Sequence, residues 1–386
     1  MNQIEYMGLN SVKEIEKIIK IENMKKIFLV ISNSAYKDSS LKNLLKKLVE
    51  KNEIEKITIF SEFQNNPKYE DILKGIDLFE KENHDGIISF GGGSTIDVAK
   101  LIHFFANQNI GIKEFLFNKE KIKNEIIDKK VKHISIPTTC GTGSEATHFA
   151  VMYYNNKKYS VADERILPDY SIVDAEILKK LPDRVLASSI MDALSHGIES
   201  YWSINSTDES KEYSRKCIKL ILENYKKGYK ERDKKSLDKL AKAAHLSGKA
   251  INITKTTAPH AMSYILTSKY KIQHGHAVMM LLPYIYEFNS EKNEELNDNR
   301  GKDYLNKIFR ELNSLINVEN SKQAKTKFFN IMKELNLETS LSLKTDKKIN
   351  IEDMTKSVNI ERLKNNPLKI KKKDIMNIYN YLKASE

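Results

Sequence analysis

An aspartate and a histidine in the second half of the chain have the spacing of paired metal ligands. Asp192 and His196 lie four residues apart in the apolar stretch MDALSH, so a helix would place both on one face. A buried carboxylate is unfavourable without a cation or hydrogen-bond donors. The pair therefore predicts either a carboxylate–histidine hydrogen bond inside a helical core or two ligands of one metal ion.

Further histidines in the same half extend this pattern. His260 lies in APHAMSY, and His274 and His276 lie in IQHGHAV. One aspartate with three histidines suits Zn²⁺ or Fe²⁺, and a metal with an open position acts as a Lewis acid on a substrate oxygen. The two cysteines, Cys140 and Cys217, are too few for a thiolate cluster or a disulfide framework.

Two loops in the first half have the composition of a nucleotide site. FGGGSTIDVAK follows the apolar run GIISF and opens a predicted helix with Ser94 as its N-cap. Amides at such a helix start bind pyrophosphate, although the pattern is neither GxGxxG nor a Walker A loop. IPTTCGTGSEAT follows ISIP and offers hydroxyls and amides to a nicotinamide or a phosphate. Either loop alone is also compatible with an ordinary turn, but both lie at strand ends, where α/β sheets bind ligands.

The elements that would position these residues differ between the two halves. Strands are predicted at 27–32, 57–60, 86–90 and 134–137, and helices at 41–51, at 69–82 and after a capping box formed by Ser11 and Glu14. Strand–helix alternation predicts a parallel sheet. Beyond LPD at 181–183 the periodicity is helical throughout. We expect an α/β dinucleotide-binding domain at 1–180 and an all-helical metal-binding domain at 181–386.

Composition restricts the function classes. The chain has 386 residues, 40% of them hydrophobic and 30% charged, which is typical of a globular protein of two domains. The sequence contains no apolar run long enough for a membrane span and no signal-peptide core, so we expect a cytoplasmic protein. The net charge of +12 favours an anionic substrate or a phosphate-bearing cofactor, whereas the sequence contains no nucleic-acid-binding module.

Taken together, GGGSTID, PTTCGTGSE, DALSHGIES and the pair His260 and His274 resemble the iron-containing (group III) alcohol dehydrogenases, nearly end to end through NNP at 365–367. The resemblance implies the fold shared with dehydroquinate synthase: a dinucleotide-binding α/β domain, an all-helical domain and an active site in the cleft between them. It also implies NADPH or NADH, Fe²⁺ or Zn²⁺, and a homodimer.

The resemblance also assigns residues. The implied metal ligands, catalytic through the metal, are Asp192, His196, His260 and His274. The implied cofactor contacts are Gly92, Gly93, Ser94, Asp97, Thr138, Thr139, Thr147, Asn66, Lys158, Leu178 and Ser32.

The sequence departs from the family pattern at two positions. Many members have a second histidine four residues after the one at 260, where this chain has Tyr264, a possible substrate contact. NAD-dependent members often have an aspartate at the end of the first strand, where this chain has Ser32. Without that carboxylate a 2′-phosphate is not repelled, and Ser34 and Lys37 could bind it, which favours NADPH.

Three stretches, YSVADERILPD, ESYWSINSTDES and APHAMSYILTS, resemble phosphonoacetaldehyde reductases within this family. They imply reduction of phosphonoacetaldehyde to 2-hydroxyethylphosphonate in phosphonate biosynthesis. Butanol, 1,3-propanediol or lactaldehyde chemistry on the same fold is an alternative. A lyase related to dehydroquinate synthase and a non-catalytic sensor are more remote ones.

Overall fold

The apolar runs of the first half form strands of one parallel sheet in the computed structural model, which describes residues 3–106, 108–122, 125–128, 131–155, 157–292, 294–344 and 348–384. Six strands pair in the order β1-β8-β5-β4-β2-β3, and β6 and β7 form a separate antiparallel hairpin. The strands are β1 Ile4–Met7, β2 Lys26–Ile31, β3 Lys56–Phe60, β4 Gly86–Gly91, β5 Lys132–Pro137, β6 Phe149–Tyr154, β7 Lys157–Ala162 and β8 Tyr170–Val173.

Both faces of this sheet are buried, which explains why its central strands are continuously apolar. Phe28 and Val30 of β2 point into one core, and Ile27, Leu29 and Ile31 point into the core on the opposite face. The helices of this part are α1 Glu14–Ile21, α2 Asn33–Tyr36, α3 Ser40–Glu50, α4 Tyr69–Glu80, α5 Gly93–Phe105 and α6 Ile112–Ile122.

The rest of the described chain is helical. Its helices are α7 Asp183–Trp202, α8 Asp208–Lys230, α9 Lys234–Thr254, α10 Ala258–Ser268, α11 His274–Glu291, α12 Lys302–Leu315, α13 Ser321–Glu334, α14 Ile351–Lys356 and α15 Lys372–Ala384. The fold class expected from the sequence, a parallel α/β part followed by an all-helical part, is confirmed. Within the described residues, none of the helices combines the length and apolar character that a membrane span requires.

The chain forms two units. The strand-containing unit comprises Met1–Thr139 and Gly143–Lys179, and the helical unit comprises Cys140–Thr142 and Lys180–Glu386. The candidate metal ligands lie in the helical unit, and the glycine turn lies in the strand-containing unit.

The expected capping box at the first helix is wrong. Ser11 begins a 3-10 turn, Ser11–Lys13, whose N-cap Asn10 is left-handed and makes no side-chain capping bond. The Ser11 hydroxyl donates instead to the carbonyl of Val173, at 3.1 Å. The buried face of α1, formed by Ile15, Ile18 and Ile19, agrees with the predicted helical periodicity.

Candidate metal centre and nucleotide loops

Three of the four predicted metal ligands converge in the helical unit. Asp192 lies on α7, His260 on α10, and His274 is the first residue of α11. The Oδ1 atom of Asp192 lies 3.5 Å from Nε2 of His260 and 4.0 Å from Nε2 of His274. One ligand atom from each residue lies within 4.8 Å of the others, which is a geometry that one divalent ion can bridge.

Two of the facing atoms lack a partner among the described residues, although both are buried. Asp192 Oδ1 and His260 Nε2 accept and donate no hydrogen bond there. Buried polar atoms are rarely left unsatisfied, because each costs free energy. A carboxylate oxygen and imidazole nitrogens are ligands of Zn²⁺ and Fe²⁺, so the donor set fits such an ion.

His196 lies beside this group rather than within it. Its ring stacks on that of His260, with centroids 4.4 Å apart and planes inclined by 15°. His196 Nδ1 is also buried without a partner among the described residues. Asp192 and His196 share one face of α7 as their spacing predicts, but the group that one ion could reach among the described residues comprises Asp192, His260 and His274.

The charges in this group shift its pKa values. Burial opposes ionisation of Asp192, but His196 and then the two other histidines hold its pKa below the ordinary range. Burial lowers the pKa of His196 to about 4. Burial also acts to lower the pKa of His260, but Glu199 and Asp192 outweigh it and raise that pKa to about 10. Asp192 is therefore anionic and His196 neutral, as a metal requires, whereas His260 carries a proton that it would have to release on binding a metal.

Glu199 supports His260 and was not identified from the sequence. Its carboxylate contacts Nδ1 of His260 and accepts bonds from Thr257, at 2.7 Å from the amide and 2.9 Å from the hydroxyl. The Trp202 indole donates to that hydroxyl at 2.9 Å. Such a carboxylate–histidine pair fixes which nitrogen faces a metal. The one available signal was the position of Glu199 seven residues, or two helical turns, after Asp192.

Gly275 allows α11 to approach α7. A Cβ atom at this position would lie 2.0 Å from the carbonyl oxygen of Ser188 and 2.5 Å from Cβ of Asp192. A larger residue therefore cannot follow His274 without separating the two helices. No local sequence pattern indicates this contact, because it depends on tertiary packing.

Tyr264 and His276 occupy different surroundings. Tyr264 lies one turn after His260 on α10, and its ring is parallel to that of His274 with centroids 6.4 Å apart. His276 lies in the core, where Nε2 contacts the carbonyl of Glu338 at 2.7 Å. Tyr264 is therefore beside the candidate ligands, whereas His276 is held by backbone.

In the strand-containing unit, the two predicted nucleotide loops lie side by side. β4 pairs with β2 and β5, and the amide of Thr138 donates to the carbonyl of Gly91 at 2.9 Å. Ser32 follows β2, and its amide donates to the carbonyl of Phe90 at 3.0 Å. The chain reverses its direction of sheet growth between β2 and β4, and such a switch point is where open α/β sheets bind nucleotides.

The expectation that Ser94 caps α5 is wrong. Gly92 is the N-cap and the helix begins at Gly93, so Ser94 is the second helical residue. Its hydroxyl donates to the carbonyl of Asn65. The backbone amides of the first turn of α5 still follow the glycine turn directly, and amides at a helix start are the feature that binds phosphate groups.

Asp97 and Thr147 make hydrogen bonds inside the protein. Asp97 accepts bonds from the Ser144 hydroxyl at 2.6 Å and the Val151 amide at 3.0 Å. Burial raises the pKa of Asp97, an effect that Lys100 opposes. The Thr147 hydroxyl lies 2.9 Å from Nζ of Lys100. Both residues therefore shape the loop from within.

Lys100 is the centre of that arrangement and was not identified from the sequence. Its fully buried ammonium donates to oxygens of three residues, including the carbonyls of Thr147 at 2.7 Å and Phe149 at 3.0 Å. Burial lowers the pKa of Lys100 to about 8, against the opposing effect of Asp97, so the cation persists at neutral pH. One helical turn of α5 thus holds the segment 144–149.

The remaining predicted cofactor contacts are more scattered. Thr139 is half-buried in its loop, Asn66 is exposed before α4, Lys158 is half-buried on β7, and Leu178 is buried in the 3-10 turn Ile177–Lys180.

The two cysteines are buried and unbridged. Burial raises the pKa of Cys140 to about 12 and raises that of Cys217 as well. Neither thiol therefore ionises at neutral pH.

Family models match both parts of the chain. Residues 3–175 match the model described as "Iron-containing alcohol dehydrogenase", and residues 186–382 match "Fe-containing alcohol dehydrogenase family, C-terminal".

Curated relatives agree in family but differ in coenzyme and size. Aldehyde-alcohol dehydrogenase 2 of Entamoeba histolytica is 30% identical over 73% of this chain, and the aligned region spans 33% of that protein. The NAD-dependent methanol dehydrogenase of Bacillus methanolicus is 30% identical over 73% of both proteins. The NADPH-dependent butanol dehydrogenase of Clostridium saccharobutylicum is 30% identical over 75% of this chain and 73% of its own length.

Solved structures share the whole fold. Sulfoacetaldehyde reductase from Bifidobacterium kashiwanohense, in complex with NAD⁺, superposes with a TM-score of 0.85 at 22% identity, covering 100% of this chain and 98% of its own. An iron-containing alcohol dehydrogenase from Thermotoga maritima gives a TM-score of 0.83 at 25% identity, covering 99% and 98%. These likenesses establish the fold.

Proposed function

Because the chain belongs to the iron-containing alcohol dehydrogenase family of oxidoreductases, we propose that it reduces a small aldehyde to a primary alcohol with a nicotinamide coenzyme and a divalent metal. The observation that carries the proposal is the group of Asp192, His260 and His274, with the buried, unpartnered atoms Asp192 Oδ1 and His260 Nε2 facing one another. The most specific form of the proposal is NADPH-dependent reduction of phosphonoacetaldehyde to 2-hydroxyethylphosphonate.

The proposal divides the work between two parts of the chain. Residues 1–180 would hold the dinucleotide, with Gly92, Gly93 and Ser94 at the pyrophosphate and Thr138 and Thr139 at the nicotinamide side. Residues 181–386 would hold the metal, and His196 would complete the ligand set. A homodimer is part of the proposal and is tested by light scattering on the purified protein.

Each bound group has a defined contribution. Fe²⁺ or Zn²⁺ in this ligand set supplies Lewis acidity to the carbonyl oxygen, and the reduced coenzyme supplies a hydride. The chain's own residues hold the reacting groups: Glu199 keeps the proton of His260 on Nδ1, so that Nε2 faces Asp192. The balance of the reaction is one hydride added to the carbonyl carbon and one proton taken up by the oxygen.

The coenzyme preference follows from Ser32. Its hydroxyl lies 3.3 Å from that of Ser34, and Lys37 is exposed one turn later. An uncharged residue at the end of β2 does not repel a 2′-phosphate, so NADPH is proposed. The curated relatives include users of either coenzyme and leave both open for this chain.

Coenzyme oxidation tests the proposal directly. Protein loaded with Fe²⁺ or Zn²⁺ is mixed with NADPH or NADH and with phosphonoacetaldehyde, lactaldehyde or butanal. Coenzyme oxidation with butanal or lactaldehyde but not with phosphonoacetaldehyde would identify the alternative of an uncharged substrate. No net coenzyme oxidation with any of the aldehydes would contradict the proposal and leave the lyase alternative. Asp192→Ala should lose metal and activity together while remaining folded, and turnover by metal-stripped wild-type protein would contradict the metal's role.

A further inference from the structure

Tyr264 lies beside the candidate metal ligands and also contacts an arginine. It follows His260 by four residues on α10, so both lie on one face of that helix. Its ring lies parallel to that of His274, at an inclination of 5°. A substrate carbonyl near His260 and His274 would therefore have the Tyr264 phenol as its neighbour.

Arg362 holds that phenol. It lies in the 3-10 turn Ile360–Leu363, and its Nη1 donates to the Tyr264 hydroxyl at 2.6 Å. The guanidinium also lies over the Tyr264 ring, 5.0 Å from its centre. The guanidinium therefore contacts the same aromatic ring that lies beside His274.

The charge of Arg362 is uncompensated within the part of the chain that the structure describes, where it has no carboxylate within 4 Å. Its neighbour Glu361 pairs with Lys364, at 2.6 Å. Among the described residues, Arg310 on the exposed face of α12 also has no carboxylate partner, whereas the five other arginines have one: Arg165, Arg184, Arg215, Arg232 and Arg300. A guanidinium is always charged and presents five N–H donors in a fork that fits oxyanions, and Tyr264 uses one of them.

We propose that Arg362, with Tyr264, binds a tetrahedral oxyanion on the carbon next to the substrate carbonyl, and so selects phosphonate- or sulfonate-bearing aldehydes over uncharged ones. This inference rests on the proposed aldehyde reduction and deepens it by assigning the residues that recognise the substrate. Phosphonates and sulfonates share the required geometry, and they differ in charge and in the number of protons they carry near neutral pH.

The test compares selectivity in the metal-loaded full chain. The ratio of kcat/KM for phosphonoacetaldehyde to that for butanal should fall about 100-fold in Arg362→Gln, the effect of losing a hydrogen bond between charged groups. Arg362→Lys should retain part of the ratio. Sulfoacetaldehyde distinguishes a site that requires a dianion from one that accepts any tetrahedral oxyanion.

Arg215→Gln is the matched control. Arg215 also donates to a tyrosine hydroxyl, that of Tyr201 at 3.0 Å, and lies over its ring, but it has Glu212 as an ion-pair partner. The selectivity ratio should not change in this variant. An equal loss with charged and uncharged aldehydes in Arg362→Gln would overturn the proposal and leave Arg362 as a support for α10.

A binding measurement separates this inference from the proposed function. Isothermal titration of the metal-loaded protein with phosphonoacetate should give a dissociation constant about 100-fold weaker in Arg362→Gln than in wild type. Equal affinities would overturn the role of Arg362 whether or not the protein turns over aldehydes. Absence of any aldehyde reduction by wild type, with this binding difference intact, would refute the proposed reaction alone.

Discussion

Glu199 determines which nitrogen of His260 is available to a metal. Its carboxylate is held by the Thr257 amide and hydroxyl, so it cannot turn away from Nδ1 without leaving those donors unpaired. Carboxylates in this position raise the basicity of the imidazole and fix its ring.

Glu199→Gln should therefore weaken metal binding about 10- to 100-fold, since an amide cannot replace the anion. Competition with a chromogenic chelator measures the affinity. Glu212→Gln, an exposed residue of α8 paired with Arg215, is the control. Unchanged affinity in Glu199→Gln would contradict its role at His260.

Ser32 carries the prediction on coenzyme choice. Ser32→Asp introduces a carboxylate at the end of β2, which repels a 2′-phosphate and accepts bonds from ribose hydroxyls. The ratio of kcat/KM for NADPH to that for NADH should fall at least about tenfold, a change of about 1.4 kcal/mol. Asn52→Asp, which adds the same charge at an exposed position, is the control. A ratio that moves equally in both variants would exclude a local effect at Ser32.

The approach of α11 to α7 at Gly275 sets the geometry of the ligand group. The Cβ atom of an alanine would overlap the backbone of Ser188 and Asp192, so the helix carrying His274 must move outward.

Gly275→Ala should lower the free energy of unfolding by about 1–3 kcal/mol, as is usual for overpacking. It should also weaken metal binding, because His274 moves with the helix. Urea unfolding and the chelator assay measure the two effects. Gly111→Ala is the control, because a Cβ atom there meets no atom within 4 Å. Wild-type metal affinity in Gly275→Ala would show that α11 can shift without moving His274.

At the same scale, Lys100 ties α5 to the segment that follows the second nucleotide loop. Lys100→Met leaves the carbonyl oxygens of Thr147 and Phe149 without this donor, and it removes the positive charge that opposes the raised pKa of buried Asp97. The free energy of unfolding should fall by about 3–5 kcal/mol, because each buried acceptor left without a hydrogen bond costs about 1–3 kcal/mol. NADPH affinity, measured by fluorescence titration below the melting temperature, should fall as well. Lys74→Met, exposed on α4, should change neither quantity. Undiminished NADPH affinity in Lys100→Met would show that the segment 144–149 does not position the coenzyme.

The elements differ in how far the sequence predicts them. Three of the four predicted strands, β2, β4 and β5, are buried on both faces, and this gives them largely apolar runs. The fourth, β3, is an edge strand with exposed residues, and only its short run ITIF marks it. β1 and β8 are four residues long, and β6 and β7 form a hairpin with half-exposed residues, so no comparable run marks them. Spacing predicted that Asp192 and His196 share a face of α7. The contacts of Glu199, Gly275 and Arg362 join segments distant in sequence, which no local pattern reports.

At the scale of the whole molecule, the net charge is +12, so carboxylates that stay ionised at low pH are important for the stability of the fold. Glu338 contacts two cations, Arg184 and, at 3.5 Å, Lys344. Burial acts to raise the pKa of Glu338, but Arg184 and the other neighbours lower it from 4.5 to about 2.

The depressed pKa of Glu338 has a definite sign in the stability profile. Its contribution is fully present above about pH 4.5 and is lost as the pH falls towards about 2, because only the folded state keeps the carboxylate ionised in this window. The difference in unfolding free energy between wild type and Glu338→Gln should therefore narrow between pH 5.5 and 3.5. Urea titrations at the two pH values measure it, with Glu80→Gln as an exposed control. A constant difference would contradict the depressed pKa.

The burial of both native thiols makes the protein a convenient host for site-directed labelling. Cys140 and Cys217 are both inside the fold with raised pKa values, so a maleimide reagent at neutral pH will encounter almost no reactive thiolate. A single cysteine introduced at an exposed position would then carry one fluorophore or spin label without prior removal of the natural ones. Two such cysteines, each labelled, would report how the distance between their positions changes when coenzyme is added.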